Sequence, residues 1–300
     1  MRDLIIIGNG FDLAHDLHTR YSDFLEFVWE NAGDFYEQIT KYICEDDLWN
    51  DFENALGSFD DGGLKEMSDS AYLNYDRIHS DYRKAISDEL TFSTQISERL
   101  CDWIKNVETK ARKVFSSGLI NNENKYLNFN YTDTLESNYD VFEQNICYLH
   151  GKVSRNDGLV IGHRNVFAYT GKKPLFLTYE EEQEWFEYQM NRNNEDAEKE
   201  NRISIYFSNT YKDTETIIAQ NEEFFKSLQG IKNVYIIGHS LSTIDFPYFQ
   251  EVYKNVSTEC CWHITYHSLK DKRNANDFLQ KMNITNYRIS RIDEFQYYIP

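Results

Sequence analysis

The chain has 300 residues, with 31 lysines and arginines against 50 aspartates and glutamates, so its formal net charge at pH 7 is −19. Apolar residues make up 41% and charged residues 27%, a balance typical of a globular protein with a sizeable core. The negative charge argues against non-specific nucleic-acid binding and against docking on an anionic membrane, because both need a basic face.

The cysteines and the first apolar run indicate the cellular compartment in which the protein works. Five cysteines are present, and no pair has the C-x-x-C spacing of a zinc or redox motif. The apolar run Leu4–Ile7 is too short for a signal peptide or a membrane span. We therefore expect a cytoplasmic protein with reduced thiols, no metal site and no membrane anchor.

Short apolar runs predict the strands of a sheet. They lie at residues 4–7, 126–129, 146–149, 159–161, 234–237, 261–266 and 287–289. The first is continuously apolar, as expected for a strand that is buried on both faces of a parallel sheet. Because the runs alternate with helical patterns, we predict an α/β fold with a Rossmann-like, mostly parallel sheet.

Two stretches are too long for single crossovers between parallel strands. In residues 33–118, apolar spacing of three and four predicts helices over 64–90 and 92–114. Residues 167–230 hold an acidic helix start and a polar stretch. We predict a single Rossmann-like domain over residues 1–300, with largely helical insertions at 33–118 and 167–230.

Polar, glycine-containing signatures follow four of the predicted strands. In chain order they are Gly8-Asn9-Gly10-Phe11-Asp12, Asn130-Tyr131-Thr132-Asp133, His150-Gly151 and Gly238-His239-Ser240. Ligands of open α/β sheets bind beyond the carboxyl ends of the strands. The four signatures therefore predict one shared site.

Each signature also has a purely structural interpretation. Gly8 and Gly10 allow a phosphate to approach the backbone, or they simply form a tight turn. Asn130 is assigned to the crevice, whereas Asp133 and Glu136 fit a capping box of the next helix. Gly151 turns the backbone away and is expected to expose the His150 imidazole, either as a general base or as an ordinary structural histidine.

A serine hydrolase is a minor alternative. The sequence Gly238-His239-Ser240-Leu241-Ser242 is similar to the G-x-S-x-G nucleophile elbow, although its last position is serine. The other triad members would have to be Asp245 and His267, which lie unusually close to Ser240 along the chain.

The motifs together resemble the bacteriophage abortive-infection AbiH family over nearly the whole chain. The resemblance rests on the residues Gly8-Asn9-Gly10-Phe11-Asp12, Trp49-x-Asp51-Phe52-Glu53, Asn128-Phe129-Asn130-Tyr131-Thr132, Leu149-His150-Gly151 and Ile237-Gly238-His239-Ser240 with Asp245. The same motifs are more distantly similar to sirtuin-like NAD-binding domains of bacterial defence proteins. That likeness implies a sirtuin-like fold with NAD as substrate or ligand.

The likeness also implies a role for each matching residue. It assigns catalysis at the nicotinamide ribose to Asn130 and His150. It assigns cofactor binding to a set along the crevice: Gly8, Asn9, Gly10, Asp12, Gly238, His239, Ser240 and Asp245. Thr132 departs from this pattern, because the sirtuin-like N-Y-D motif has aspartate there. The zinc module of protein deacetylases is absent, so deacylation is not implied.

Two functions from different classes follow. The first is an NAD glycohydrolase that depletes NAD on infection. The second is a nucleotide-binding sensor without turnover, which contacts a phage trigger or a host protein; self-association is compatible with either. Asp51 and Glu53 are assigned to a solvated helix face, with a contact to a ribose hydroxyl as the alternative.

Overall fold

The computed structural model describes residues 3–43, 48–59, 90–164 and 203–295. Its internal contacts define two compact units: the first comprises Met1–Phe27, Ser97–Val160 and Asp213–Pro300, and the second Val28–Ile96 and Ile161–Lys212. Parts of the predicted insertions therefore group with the first unit, namely residues 97–118 and 213–230. The predicted helix over 64–90 lies almost wholly outside the described residues.

The first unit contains an all-parallel sheet of six strands. The strands are β1 (Leu4–Ile7), β2 (Lys125–Asn128), β3 (Ile146–Tyr148), β4 (Asn233–Ile237), β5 (Cys261–Tyr266) and β6 (Tyr287–Arg291). Their order across the sheet is β3-β2-β1-β4-β5-β6. This is the strand order of Rossmann folds, and it confirms the predicted fold class.

The prediction of a strand at residues 159–161 is wrong. Side-chain hydroxyls take the place of a strand partner there, because Ser97 Oγ donates to Leu159 O and Tyr131 Oη donates to Val160 O. The Val160 N–H donates to His150 O. These three backbone groups are thus satisfied outside a ladder, which removes much of the need for a strand partner in this run.

Helices cover both faces of the sheet. Across the two units, the described helices include α1 (Asn9–Ala14), α2 (Tyr21–Asn31), α3 (Gly33–Tyr42), α4 (Phe52–Ala55), α5 (Phe92–Lys105), α6 (Thr134–Tyr139), α7 (Thr214–Gln220), α8 (Glu222–Lys226), α9 (Phe246–Asn255), α10 (Leu269–Lys281) and α11 (Ile292–Phe295). Leu4 and Ile6 of β1 pack into a cluster with α9 and α10, whereas Ile5 and Ile7 pack with α1, α6 and α11. Strand β1 is therefore central and buried on both faces, as its apolar run predicts.

Helix α5 ends earlier than its apolar pattern predicts. The pattern continues to Val114, but the helix stops at Lys105. Beyond it, the Ala111 N–H donates to Asn138 Oδ1, and the Val114 N–H donates to Tyr139 Oη. Because these side chains of α6 accept the backbone N–H groups, the segment does not need helical hydrogen bonds.

The second unit has an aromatic core and a buried ion pair. Phe92 packs against both Tyr42 and Tyr206, with ring centroids 6.1 and 5.7 Å away. The Lys212 ammonium lies 2.6 Å from Glu53 Oε1, and the lysine side chain has no exposed surface. Glu53 therefore has a structural partner, which supports neither interpretation offered for it by the sequence.

Among the described residues, no helix combines the length and the apolar character needed to cross a membrane.

Candidate functional site

The carboxyl ends of four strands lie level at one edge of the sheet. Ile7 pairs in register with both Asn128 and Ile237, and Asn128 pairs with Tyr148. Strand order reverses between β1 and β4, which makes their carboxyl ends the switch point where Rossmann folds bind ligands. The four sequence signatures all begin at this edge.

Three glycines bring the β1 and β4 loops into backbone contact. The Gly8 N–H donates to Ile237 O at 3.1 Å, and the Gly10 N–H donates to Gly238 O at 2.7 Å. A Cβ on Gly10 would lie 2.7 Å from Gly238 Cα. These glycines are therefore needed for close packing, and the Gly10 N–H already has a carbonyl acceptor in place of a phosphate.

Gly238 provides a stability test of this packing, with Gly230 as its matched control. Both have left-handed backbone, with φ of +66° and +81°, but a Cβ would lie 2.3 Å from Phe11 N at Gly238 and meet nothing within 4 Å at Gly230. We expect Gly230→Ala to cost about 1–2 kcal/mol of unfolding free energy. Gly238→Ala should cost about 1–3 kcal/mol more, because it adds overpacking. Equal costs in urea denaturation would contradict a packing role.

Two buried imidazoles flank one carboxylate. Asp245 Oδ1 lies 3.8 Å from His150 Nε2, and Asp245 Oδ2 lies 3.5 Å from His239 Nε2. The three side chains, which we call the His–Asp–His cluster, are each less than 8% exposed. The expectation that His150 is exposed is therefore wrong, because the ring of Phe129 packs against both imidazoles and covers them.

Local hydrogen bonds fix the cluster's orientation. His239 Nδ1 accepts a bond from the Leu241 N–H, so the ring carries its proton on Nε2, which faces Asp245. Asp245 is the residue before α9, yet its carboxylate makes no capping bond to that helix. In the described part of the chain, no three His, Cys, Asp or Glu side chains are grouped as in a metal site.

Asn130 is bound within the same edge of the sheet. Its Nδ2 donates to Gly8 O at 3.1 Å, and its backbone N–H donates to Asn128 Oδ1 at 2.7 Å. The bond to Gly8 joins the loop after β2 to the loop after β1, whereas the bond to Asn128 is local to the end of β2. The amide is buried and its nitrogen has an acceptor, so its oxygen is the atom left to act on a bound molecule.

Asp12 lies beside Asn130 but is turned into the protein. Its Oδ2 lies 2.7 Å from the Thr132 hydroxyl, and its Oδ1 lies 2.7 Å from the Thr134 hydroxyl. Burial raises the pKa of Asp12 to about 6, and the threonine bonds partly oppose that rise. The sequence assigned Asp12 to cofactor binding and missed the threonines, since no local pattern links residues 120 positions apart.

Asn9 and Ser240 are the exposed members of the predicted set. Asn9 Nδ2 donates to Thr19 O, and Ser240 O accepts from Asn274 Nδ2. No hydrogen bond among the described residues joins the Ser240 hydroxyl to a histidine. Left-handed backbone falls at Leu241, with φ of +57°, rather than at Ser240. The geometry thus gives the serine-hydrolase alternative no support.

The predicted capping box is also wrong. Asp133 precedes α6 but its side chain makes no capping bond. Glu136 instead accepts bonds from Lys152 Nζ and Tyr148 Oη, both near the end of β3. A buried lysine attracts this carboxylate more strongly than a helix terminus does.

A protein-family model matches most of the chain. A family model described as "Bacteriophage abortive infection AbiH" matches residues 4–266, which include all four signatures. No curated protein and no solved structure matches the chain.

Proposed function

Because the chain belongs to the bacteriophage abortive infection AbiH family, we propose that it acts in phage defence by cleaving the bond between nicotinamide and ribose in NAD. One observation carries the proposal. The His–Asp–His cluster and Asn130 lie at the carboxyl edge of a sheet whose strand order is that of dinucleotide-binding folds.

The proposed reaction needs a general base and a polar side chain that orients the attacking water. Cleavage of the nicotinamide–ribose bond passes through an oxocarbenium-like state, as glycoside cleavage does. In the proposal, His150 accepts a proton from the attacking water, nicotinamide leaves with the bonding electron pair, and ADP-ribose gains the hydroxyl. Asp245 stabilises the imidazolium that forms, and Asn130 Oδ1 holds the water in line.

The hydrogen bonds of the Gly8–Gly10 segment limit how the pyrophosphate of NAD is held. The Gly10 N–H donates to Gly238 O, so it does not serve as a phosphate donor in this proposal. The pyrophosphate is instead assigned to the exposed rim, where the side chains of Asn9 and Ser240 lie. Gly8, Gly10 and Gly238 contribute by letting the two loops meet, and His239 contributes by holding Asp245.

Incubation of the purified protein with NAD tests the proposal. We expect nicotinamide and ADP-ribose to appear in equal amounts as NAD disappears. Loss of NAD without nicotinamide would point to cleavage elsewhere, and stable NAD in the presence of bound nucleotide would contradict catalysis. The reaction should be run with and without a lysate from phage-infected cells, because a defence protein can require its trigger.

A nucleotide sensor without turnover is the second candidate. The observation that favours it is the burial of His150, which is 4% exposed and packed against Phe129. A base so covered reaches water only if its surroundings move. This candidate would be favoured if NAD and ADP-ribose raised the melting temperature equally. It also requires that no nicotinamide is released, either with or without the lysate from phage-infected cells.

A further inference from the structure

Asp12, Thr132 and Thr134 form a closed ring of side-chain oxygens. Thr132 Oγ1 lies 2.7 Å from Asp12 Oδ2, Thr134 Oγ1 lies 2.7 Å from Asp12 Oδ1, and the two hydroxyl oxygens lie 3.0 Å apart. All three residues are at most 3% exposed. Every edge of the ring is therefore at hydrogen-bonding distance and shielded from water.

The ring has three edges, and each edge needs one proton. The two hydroxyls supply two protons, so an ionised carboxylate leaves two oxygens facing each other without one. A proton on Asp12 Oδ1 completes the ring: Asp12 donates to Thr134, Thr134 donates to Thr132, and Thr132 donates back to Asp12 Oδ2. We propose that Asp12 is a proton-carrying positioning residue, which closes this ring and thereby fixes the loop that bears Asn130.

The surroundings of Asp12 favour the neutral acid. Burial is the main cause that raises its pKa, and it outweighs the side-chain hydrogen bonds of Thr132, Thr134 and Asn130, which lower the pKa; the negative charge of Asp133 adds to the rise. His15, one turn further along the chain, has its pKa lowered by burial and is bound to Phe11 O and Tyr139 Oη. His239, on the β4 loop, faces Asp245. No ion pair joins Asp12 to a cation in the described part of the chain.

The ring acts on the site through a short connection. Thr132 lies two residues after Asn130, and Asp12 lies in α1, whose first residue Asn9 directly follows Gly8. Closing the ring therefore holds the β2 loop against α1, in the geometry where Asn130 Nδ2 reaches Gly8 O. The catalytic consequence rests on the proposed function, whereas the ring and its proton do not.

Asp12→Asn tests the ring, because a carboxamide has nearly the same shape and carries the missing proton permanently. Its N–H can donate to Thr134 Oγ1, and its oxygen can accept from Thr132. In the parent, the pKa of Asp12 is about 6 in the folded state and 3.8 when unperturbed. The protonated carboxyl therefore stabilises the folded state fully below pH 3.8, and this stabilisation is lost as the pH rises through 6. Between pH 4 and 7, the folded-to-unfolded ratio of Asp12→Asn should therefore rise about fiftyfold relative to the parent.

Thr134→Val provides the complementary variant, since it keeps the shape and removes two edges. Carbon-13 labelling of the aspartate carboxyls lets the Asp12 proton be followed by NMR in the parent and in Thr134→Val, even where Asp12→Asn fails to fold. An Asp12 carboxyl that titrates near pH 6 in the parent and at a lower pH in Thr134→Val supports the proposal, because the variant lacks the hydroxyl that accepts the proton of the neutral acid. An Asp12 titration at or below 4, or parallel stability curves for Asp12→Asn and the parent, would overturn it.

The same variants separate positioning from bulk stability if NAD is cleaved. The ratio of the Asp12→Asn kcat to the parent kcat should rise from pH 5 to 8, because only the parent loses rate as Asp12 ionises while both share the pH dependence of His150. KM should change little. Identical pH profiles would overturn the positioning role. Folding and carboxyl titration need no turnover, so a failure of NAD cleavage alone leaves the ring measurement valid.

Discussion

We expect His150→Gln to lower the rate of NAD cleavage by about two to four orders of magnitude, the usual contribution of a general base. Glutamine retains a polar, uncharged side chain of similar length but cannot accept the proton from water. His150→Ala is the poorer choice, because the imidazole is buried against Phe129 and its removal leaves a cavity. Nicotinamide release under saturating NAD, with the circular dichroism spectrum as a check of folding, measures the effect.

Two further variants give this result its meaning. His267→Ala removes an exposed histidine that only the hydrolase alternative requires, and it should leave NAD cleavage within twofold of the parent. Ser240→Ala should mainly raise KM, because the proposal places its side chain at the rim. Parent-like turnover by His150→Gln, or a complete loss with Ser240→Ala, would refute the assignment of the base.

In the second unit, Glu53→Ala should lower the unfolding free energy by about 3–5 kcal/mol, as found when one partner of a buried pair is removed. The substitution takes a carboxylate away from an ammonium 2.6 Å distant on a lysine with no exposed surface. The unpaired Lys212 ammonium is stabilised most readily by hydration, and hydration requires part of the second unit to open. Urea denaturation and limited proteolysis both report that opening.

Glu222→Ala is the matched control for this prediction. Glu222 Oε1 lies 2.7 Å from Lys226 Nζ, but both side chains are more than 60% exposed. Its loss should cost at most about 0.5 kcal/mol, since water already solvates both charges. Combining Glu53→Ala with Lys212→Met should restore much of the lost stability, because it also removes the buried charge. Equal costs for the two glutamates would contradict the argument.

Sequence patterns predict the strands well and the ends of helices poorly, for a physical reason. A strand buried on both faces needs apolar residues at every position, and Leu4–Ile7 meets that demand without help from elsewhere. The end of α5 depends on Tyr139 and Asn138, which offer acceptors to a segment more than twenty residues away. Periodicity cannot register an acceptor that folding brings from another helix.

The same distinction applies to the site. Chain order together with the carboxyl-edge rule brought Asn130, His150 and Gly238 to one region. The pairing of His150 and His239 with one carboxylate could not be predicted, because the three residues follow different strands and Asp245 comes at the end of a short turn before α9. Thr132 looked like a departure from a motif, whereas the structure gives its hydroxyl a partner in Asp12.

The strand order also has a consequence during synthesis. Leu4 pairs with Lys125 and with Val234, so β1 leaves the ribosome long before either neighbour exists. At about 5–20 residues per second, the wait for β4 lasts roughly 10–50 s. Asp245 is made later still, so an incomplete chain cannot hold both imidazoles and their shared carboxylate. Under the proposed function, products truncated before Asp245 lack the complete His–Asp–His cluster, so we do not expect them to cleave NAD.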